Sequence, residues 1–400
     1  MDNRLLTIGR PSGRELRQHG LSWYAQGDNH DYIAPEVVRV TTVEANRFRE
    51  DADQVYRIFT QAARYVAENR LWTAAGIPPA AVALVEYSLR EELGQHLIGR
   101  FDYAGGLGGH PLKVLEFNAD TFSLLPESMH IQRMQLGMLP RRERKRSGQF
   151  NLLMPGLIEG FQQLLEAHPH LTPSLLITGL GHEEDWLNLE VIEAAAERAG
   201  FEDIRMMALD KVIFSPDDGI FIEPREGEFH RFDFMFKMAP WEFIAYEEPA
   251  LLEILTTIVC NKLAVVSNPA YCMLLQSKGL LPFLEMVAPG HPSLLKASLK
   301  VDDLPVHRYA AKPMFGRTGD NVCIYDGRAQ PIARNDGDFG DFPTVYQELA
   351  RFDQDGEGCV YQPSVFWADG ARSLCLRRQD DLIVDDDAEF VGHVIQDDDG

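Results

Sequence analysis

The chain has little that would staple it or anchor it. Its five cysteines, Cys260, Cys272, Cys323, Cys359 and Cys375, are an odd number without a C-x-x-C pair. That argues against a disulfide framework or a zinc knuckle and leaves reduced core residues. No apolar run is long enough to span a bilayer, and Met1-Asp2-Asn3-Arg4 continues into polar residues without an apolar signal core. Both absences point to the cytoplasm. Positive charge is scarce too, with 38 Lys+Arg against 61 Asp+Glu and a formal net charge of −23. Nucleic acid and anionic membranes need a clustered basic face, so neither is expected as a partner, and cationic ligands fit better. Part of the acidity, Asp385-Asp386-Asp387 and Asp397-Asp398-Asp399, reads as solvated turns and a frayed end. His182-Glu183-Glu184 lacks the second histidine of H-E-x-x-H, and His168-Pro169-His170 reads as a loop.

What is present is an enzyme-sized chain of 400 residues that can bury a large core and divide into two or three domains. Residues 43–98 carry helical periodicity, for example Val55, Ile58, Phe59, Ala62 and Val66. Arg141-Arg142-Glu143-Arg144-Lys145-Arg146 reads as an exposed loop. From Leu175 a βαβ-like unit follows, with a buried strand, a Gly-containing turn, a helix through Ala199 and a second strand at Ile204–Met207. Strand Leu263–Ser267, helix Pro269–Lys278 and an antiparallel sheet from Tyr309 to about Ile395 complete the outline.

The most informative segment is Val114-Leu115-Glu116-Phe117-Asn118-Ala119-Asp120, preceded by Gly99-Arg100-Phe101-Asp102. In a strand, Glu116, Asn118 and Asp120 point one way and Leu115, Phe117 and Ala119 the other. If the earlier segment is a neighbouring strand across the 105–109 turn, Asp102 can join Glu116 and Asn118 around one hard cation, with sites left for phosphate oxygens. The competing reading is a hairpin with its polar face in water. A second segment, Ala311-Lys312-Pro313-Met314-Phe315-Gly316-Arg317-Thr318-Gly319, ends a strand with a lysine and follows it with two glycines around a basic and a hydroxyl residue. Glycines let the backbone approach phosphates, and the lysine supplies a point charge, so this reads as a phosphate lid or else a plain flexible turn. It fits neither the G-x-x-x-x-G-K-[ST] loop nor G-x-G-x-x-G.

Together these segments resemble the glutathionylspermidine synthase family, the amide-ligase branch of the ATP-grasp enzymes. Residues 236–242, Phe-Lys-Met-Ala-Pro-Trp-Glu, and 274–282 match it as well, in the same order along the chain. The resemblance implies an α/β ATP-grasp fold of the circularly permuted type with an inserted Rossmann-like pre-ATP-grasp domain. The expected boundaries are 1–125 and 236–400 for the nucleotide-binding domain and 126–235 for the inserted substrate domain. The family's residues imply Asp102, Glu116 and Asn118 as Mg ligands, with Arg100 and Arg317 stabilising the transferred phosphoryl group. Lys278 and Lys312 would bind ATP with Gly316 and Gly319 of the lid, while Tyr361 and Gln362 would hold adenine. Thr121, Ser123, Glu183 and Glu184 would meet the substrates. Because synthetase-like sequence begins within about the first forty residues, the N-terminal amidase domain of bifunctional members is not expected.

The chemistry implied is ATP- and Mg-dependent amide formation. A carboxylate is a poor electrophile, so it first takes the γ-phosphoryl group of ATP, and an amine then attacks the acyl phosphate. The partners would be a small carboxylate, for instance a peptide such as glutathione, and a cationic amine drawn by acidic residues. The acids Glu183-Glu184-Asp185 also suit the first turn of a helix. Met238 departs from the family, whose characterised ligases carry a threonine in that tract that helps hold the peptide. A non-catalytic nucleotide-binding paralogue and a kinase that stops at a phosphorylated carboxylate are the alternatives.

Overall fold

The longest helix follows directly from its sequence. Thr41 and Glu44 form a capping box that starts Thr42–Glu68, and Ala45, Phe48, Ala52, Val55, Phe59 and Ala62 recur three and four residues apart on its buried face. In the computed structural model, which describes residues 1–181, 183–328 and 330–397, that face packs on the back of an eight-stranded sheet. The side chains of Asp28 and Glu184 also lie outside the description.

The large sheet runs in the order Leu5–Thr7, Ile33–Val40, Glu389–Ile395, Ala371–Gln379, Val360–Trp367, Gly99–Ala104, Lys113–Asn118, with Asp353–Gln354 added beside Val360–Trp367. Its last two strands are the expected hairpin, antiparallel, with Asp102 opposite Glu116, Phe101 opposite Phe117 and Arg100 opposite Asn118. The period of two sorts the residues. Phe101 and Phe117 stack at 3.8 Å beneath Phe59 of the long helix, while the polar residues between them take the front. Gly105 begins the turn at φ +71, where a side chain would collide with the Pro111 carbonyl.

Two further sheets face that front. A five-stranded antiparallel sheet is ordered Ala297–Ser298, Thr344–Glu348, Arg308–Pro313, Cys323–Asp326, Ala333–Arg334. A four-stranded parallel sheet is ordered Val265–Ser267, Phe234–Lys237, Ser174–Gly179, Asp203–Ala208, and the helix Glu183–Ala199 crosses between its last two strands. The antiparallel region expected from Tyr309 to Ile395 is therefore shared between two sheets.

The boundaries at 125 and 235 differ from what the sheets show. Phe234–Lys237 lies between Ser174–Gly179 and Val265–Ser267, so the parallel layer continues past 235. A strand buried on both edges needs both neighbours for its backbone hydrogen bonds, and the second comes from beyond the expected boundary. Conversely, residues 127–138 pack on strands of the large sheet. The basic 141–146 stretch is exposed, but Arg141–Arg144 after Pro140 forms one helical turn rather than a loop. All five cysteines are free. Among the described residues no helix is long and apolar enough to cross a membrane.

Candidate active site

A cavity of about 970 Å³ opens where the three sheets meet. The front of the hairpin contributes Arg100, Asp102, Glu116 and Asn118, and the five-stranded sheet contributes Ala310, Lys312, Ile324 and Gln347. Leu180 and Met238 enter it just beyond the C-terminal ends of two parallel strands, the usual place for ligands in open α/β sheets.

At its floor, Arg100 donates Nε and Nη2 to the two carboxylate oxygens of Asp102 at 2.8 and 2.9 Å. Asn118 Nδ2 and Ser364 Oγ donate to the same carboxylate at 2.9 and 2.7 Å. Burial pushes the Asp102 carboxyl up, but Arg100 and the hydroxyl of Ser364 outweigh it, and the group sits below its ordinary value. Arg100 Nη1 also donates to both the carbonyl and the Oγ of Ser123 at 3.1 Å. Glu116 is held only loosely, 3.5 Å from Lys278 Nζ.

These donors suit a hard divalent cation. Among the described residues no three His, Cys, Asp or Glu side chains gather to hold a metal alone. The carboxylates of Asp102 and Glu116 and the side-chain amide of Asn118 do meet here, and Mg²⁺ characteristically takes one or two carboxylates and completes its shell with water and substrate phosphates.

The two lysines come from different elements and converge. Lys278 opens a 3-10 turn after the Cys272–Gln276 helix, and its Nζ donates to the Gly316 carbonyl at 2.9 Å. Lys312 ends the Arg308–Pro313 strand and donates to Gln347 Oε1 at 2.9 Å. Burial, with help from the Lys278 charge, pulls Lys312 below its ordinary value, against the opposing carboxylates of Glu116 and Asp102. Beyond it the chain turns through Thr318 and Gly319 at φ +50 and +73, both lining the cavity. Arg317 lies 5.6 Å over the Phe339 ring, with its Nε buried and without a hydrogen-bond partner.

Beneath the cavity a buried polar shell holds the loop after the hairpin. The strand ends at Asn118, so Asp120 leaves the shared face expected for it. Its carboxylate meets Lys237 Nζ at 2.8 Å and the Trp241 backbone N–H at 2.6 Å, with Lys237 also 4.4 Å over the Trp241 ring. Gln276 Oε1 accepts from the backbone N–H of Asp120 and Thr121 at 2.7 and 2.9 Å, and its Nε2 donates to Glu242 at 2.8 Å. Burial pushes the Glu242 carboxyl up, Arg317 opposing. His96 Nε2 bridges the carbonyls of Ile98 and Ala119 at 2.9 and 2.8 Å, and burial pulls its imidazole down to about 4.

Not every expected residue reaches the cavity. Arg100, Asp102, Glu116, Asn118, Thr121 and Ser123 line it together, as do Lys278, Lys312, Gly316, Arg317, Gly319 and Gln362. Tyr361 does not. It alternates to the opposite face from Gln362, is fully buried and donates its hydroxyl to Asp355 at 2.9 Å. Glu183 is exposed at the start of its helix and is not a lining residue, whereas Asp185 is. Glu184 falls outside the described side chains. Sequence reading missed Gln347, Glu348, Leu349 and Ala350, which lead out of the five-stranded sheet along the cavity wall. It also missed Arg377, opposite Gln362, whose Nη2 donates to the Asp385 carbonyl while its Nε lacks a hydrogen-bond partner. A charged residue following the apolar run Leu374-Cys375-Leu376 was the available signal.

Cations and oxygen donors thus face one another in a cleft between sheets of a mixed α/β fold. The chain belongs to the glutathionylspermidine synthase pre-ATP-grasp family, which it matches over residues 5–396. It is 29% identical over 322 residues to a Haemophilus influenzae protein named "Putative acid--amine ligase", covering 78% of this chain and 77% of that one. It is 28% identical to the trypanothione synthetase of Crithidia fasciculata, over 64% of this chain and 40% of that one. With the bifunctional glutathionylspermidine synthetase/amidase of Escherichia coli it shares 24% identity over 74% of this chain and 49% of that protein. The chain therefore spans less than half the length of these last two relatives. A glutathione synthetase-like effector from Globodera pallida has a similar fold, with a TM-score of 0.54 and 11% identity over 90% of this chain and 89% of that one.

Proposed function

We propose that the protein is an ATP- and Mg-dependent carboxylate–amine ligase of circularly permuted ATP-grasp architecture, acting through an acyl phosphate. The observation that carries this reading is the convergence of Lys278, Lys312 and Arg100 with Asp102, Glu116 and Asn118 in one cavity. A module that only bound nucleotide would not require an arginine and oxygen ligands where the γ-phosphate is to be transferred.

Lys278 and Lys312 bind the phosphates, and the backbone of the Gly316–Gly319 lid closes over them. The apolar Ala310, Ile324 and Leu349 offer a slot for adenine beside Gln347 and Glu348. Mg²⁺, held by Asp102, Glu116 and Asn118, would offset charge on the phosphates. Arg100, steered by Asp102, faces the acid's carboxylate beside Ser123. A carboxylate oxygen attacks the γ-phosphorus, and the bond to the β-phosphate oxygen breaks to release ADP. The amine nitrogen then attacks the acyl carbon and inorganic phosphate leaves. Arg100, Arg317 and Arg377 are the cations available to stabilise the transferred group. The amine arrives as a cation, and Asp185, one of several acids on the cavity wall, is positioned to take its proton.

The test is ADP release with Mg²⁺ against a panel of carboxylate and amine pairs. Turnover must require both partners; release that needs only the carboxylate and yields a stable acyl phosphate would instead favour a kinase.

A further inference from the structure

Trp23, Tyr32, Phe122, Leu124, Leu180 and Met238 give the cavity an apolar stretch of wall, and all but Leu180 belong to, or pack on, one continuous apolar cluster. Phe122 and Leu124 are each only 3% exposed. They flank Ser123, whose carbonyl and hydroxyl both accept from Arg100. A carboxylate placed at Arg100 would therefore direct the rest of its molecule along this wall. The turn is held at both ends, by Arg100 at Ser123 and by Asn188 Oδ1, which accepts from the Leu125 backbone at 3.1 Å. Between those anchors Leu124 is kept at φ +76, a conformation that leucine rarely adopts and that costs free energy. Met238 is fixed too, its backbone N–H donating to the Thr178 carbonyl at 2.8 Å at the end of a parallel strand.

The charges are distributed accordingly. The described cations that line the cavity are Arg100, Lys278, Lys312, Arg317 and Arg377, and the proposed phosphoryl transfer uses them. The polar residues nearest the apolar wall in sequence are Asn29, Asp31, Thr121, Ser123, Asp185 and Asn188, none of them cationic, and Arg100, which donates to Ser123, is taken by the first carboxylate. A second carboxylate on the acid would be desolvated there with no further cation among the described residues to pair with, which is costly. An aliphatic or aromatic group would lose water and gain contacts.

We infer that the carboxylate substrate carries an apolar aliphatic or aromatic group, seated on the Phe122–Leu124 and Met238 wall, rather than a second charged end. This inference rests on the ligase reading. The test traps the acyl phosphate with hydroxylamine, giving a hydroxamate and inorganic phosphate, so the natural amine need not be known. With ATP and Mg²⁺, the full chain is offered 3-phenylpropionate, 4-methylpentanoate, glutarate and glutathione. The two apolar acids should exceed the two that carry a second carboxylate in kcat/KM by about 10-fold or more, the scale on which a pocket discriminates. In Met238→Thr that ratio should shrink several-fold at an unchanged KM for ATP, while Met238→Leu keeps it. Equal or better use of glutarate or glutathione by the wild type overturns the inference and leaves the ligase standing. If no carboxylate yields hydroxamate while ATP still binds, the ligase reading falls and this inference with it.

Discussion

Arg100 and Asp102 stand two residues apart on one strand and clasp each other through paired hydrogen bonds of 2.8 and 2.9 Å, both side chains almost fully buried. The pairing works because alternate residues of a strand share a face, so the i and i+2 side chains rise side by side. It aims the remaining guanidinium nitrogen at Ser123.

Removing the arginine should therefore damage both fold and function. Arg100→Ala leaves a buried carboxylate unpaired and is expected to lower stability by about 3–5 kcal/mol. Arg100→Lys keeps a charge but not the fork, and kcat should drop about 10²–10³-fold at a smaller cost in stability. Denaturant unfolding alongside ADP-release kinetics separates the two effects; a lysine variant with normal kcat would refute the proposed role.

Glu116 presents the opposite case. Its side chain is 22% exposed and sits 3.5 Å from the Lys278 ammonium. Glu116→Ala should therefore keep a near-normal Tm, within about 0.5 kcal/mol of stability, yet lose Mg-dependent ATP consumption. Unchanged turnover by the folded variant would remove Glu116 from the metal set.

Lys278 and Lys312 reach one cavity from two elements, so Lys278→Met and Lys312→Met should each weaken ATP binding by about 1–3 kcal/mol, the scale of a charged hydrogen bond. Calorimetry would report it, and equal affinity in both variants would contradict the assignment.

The Asp120–Lys237 ion pair has no exposure on either side chain. Lys237→Met alone is expected to destabilise by about 3–5 kcal/mol by leaving Asp120 uncompensated, and adding Asp120→Asn should recover part of that loss. A double-mutant cycle without coupling would argue against the pair.

His96 sets an acid limit. Burial holds its imidazole at about 4 when folded, against 6.5 as its ordinary value, so the unfolded chain takes up the proton first. The contribution is whole above 6.5 and is lost as pH falls toward 4, by roughly 1.4 kcal/mol per pH unit and about 3 kcal/mol in total. Unfolding free energies across this range, with an NMR titration of the ring, would measure it; a folded-state midpoint near 6.5 would disprove it.

The hairpin was legible because its pattern is local: Glu116 and Asn118 alternate with Leu115 and Phe117, and only one partner strand was needed to bring in Asp102. Lys312 on the cavity wall was legible for a similar reason, as a charge near a strand end before two glycines. Tyr361 was not, since Tyr361 and Gln362 are adjacent and a strand must send them to opposite faces; which face met the cavity depended on the neighbouring helix. The wall at Gln347–Ala350 carried no signal, because it takes part through its place between sheets rather than through a distinctive residue type.

By itself the sequence determined the period-two and period-three-to-four patterns, and with them the long helix, the hairpin and its polar face, and the βαβ unit. These depend on neighbours a few residues apart. Only the tertiary structure decided that three sheets would converge on one cavity and that Lys278, Lys312 and Arg377 would face Asp102 across up to 275 positions of chain. The same holds for Asp120, which left its expected face for the buried Lys237, and for the parallel layer that runs past residue 235. Long-range pairing depends on which surfaces exclude water from one another, and spacing along a chain does not encode that.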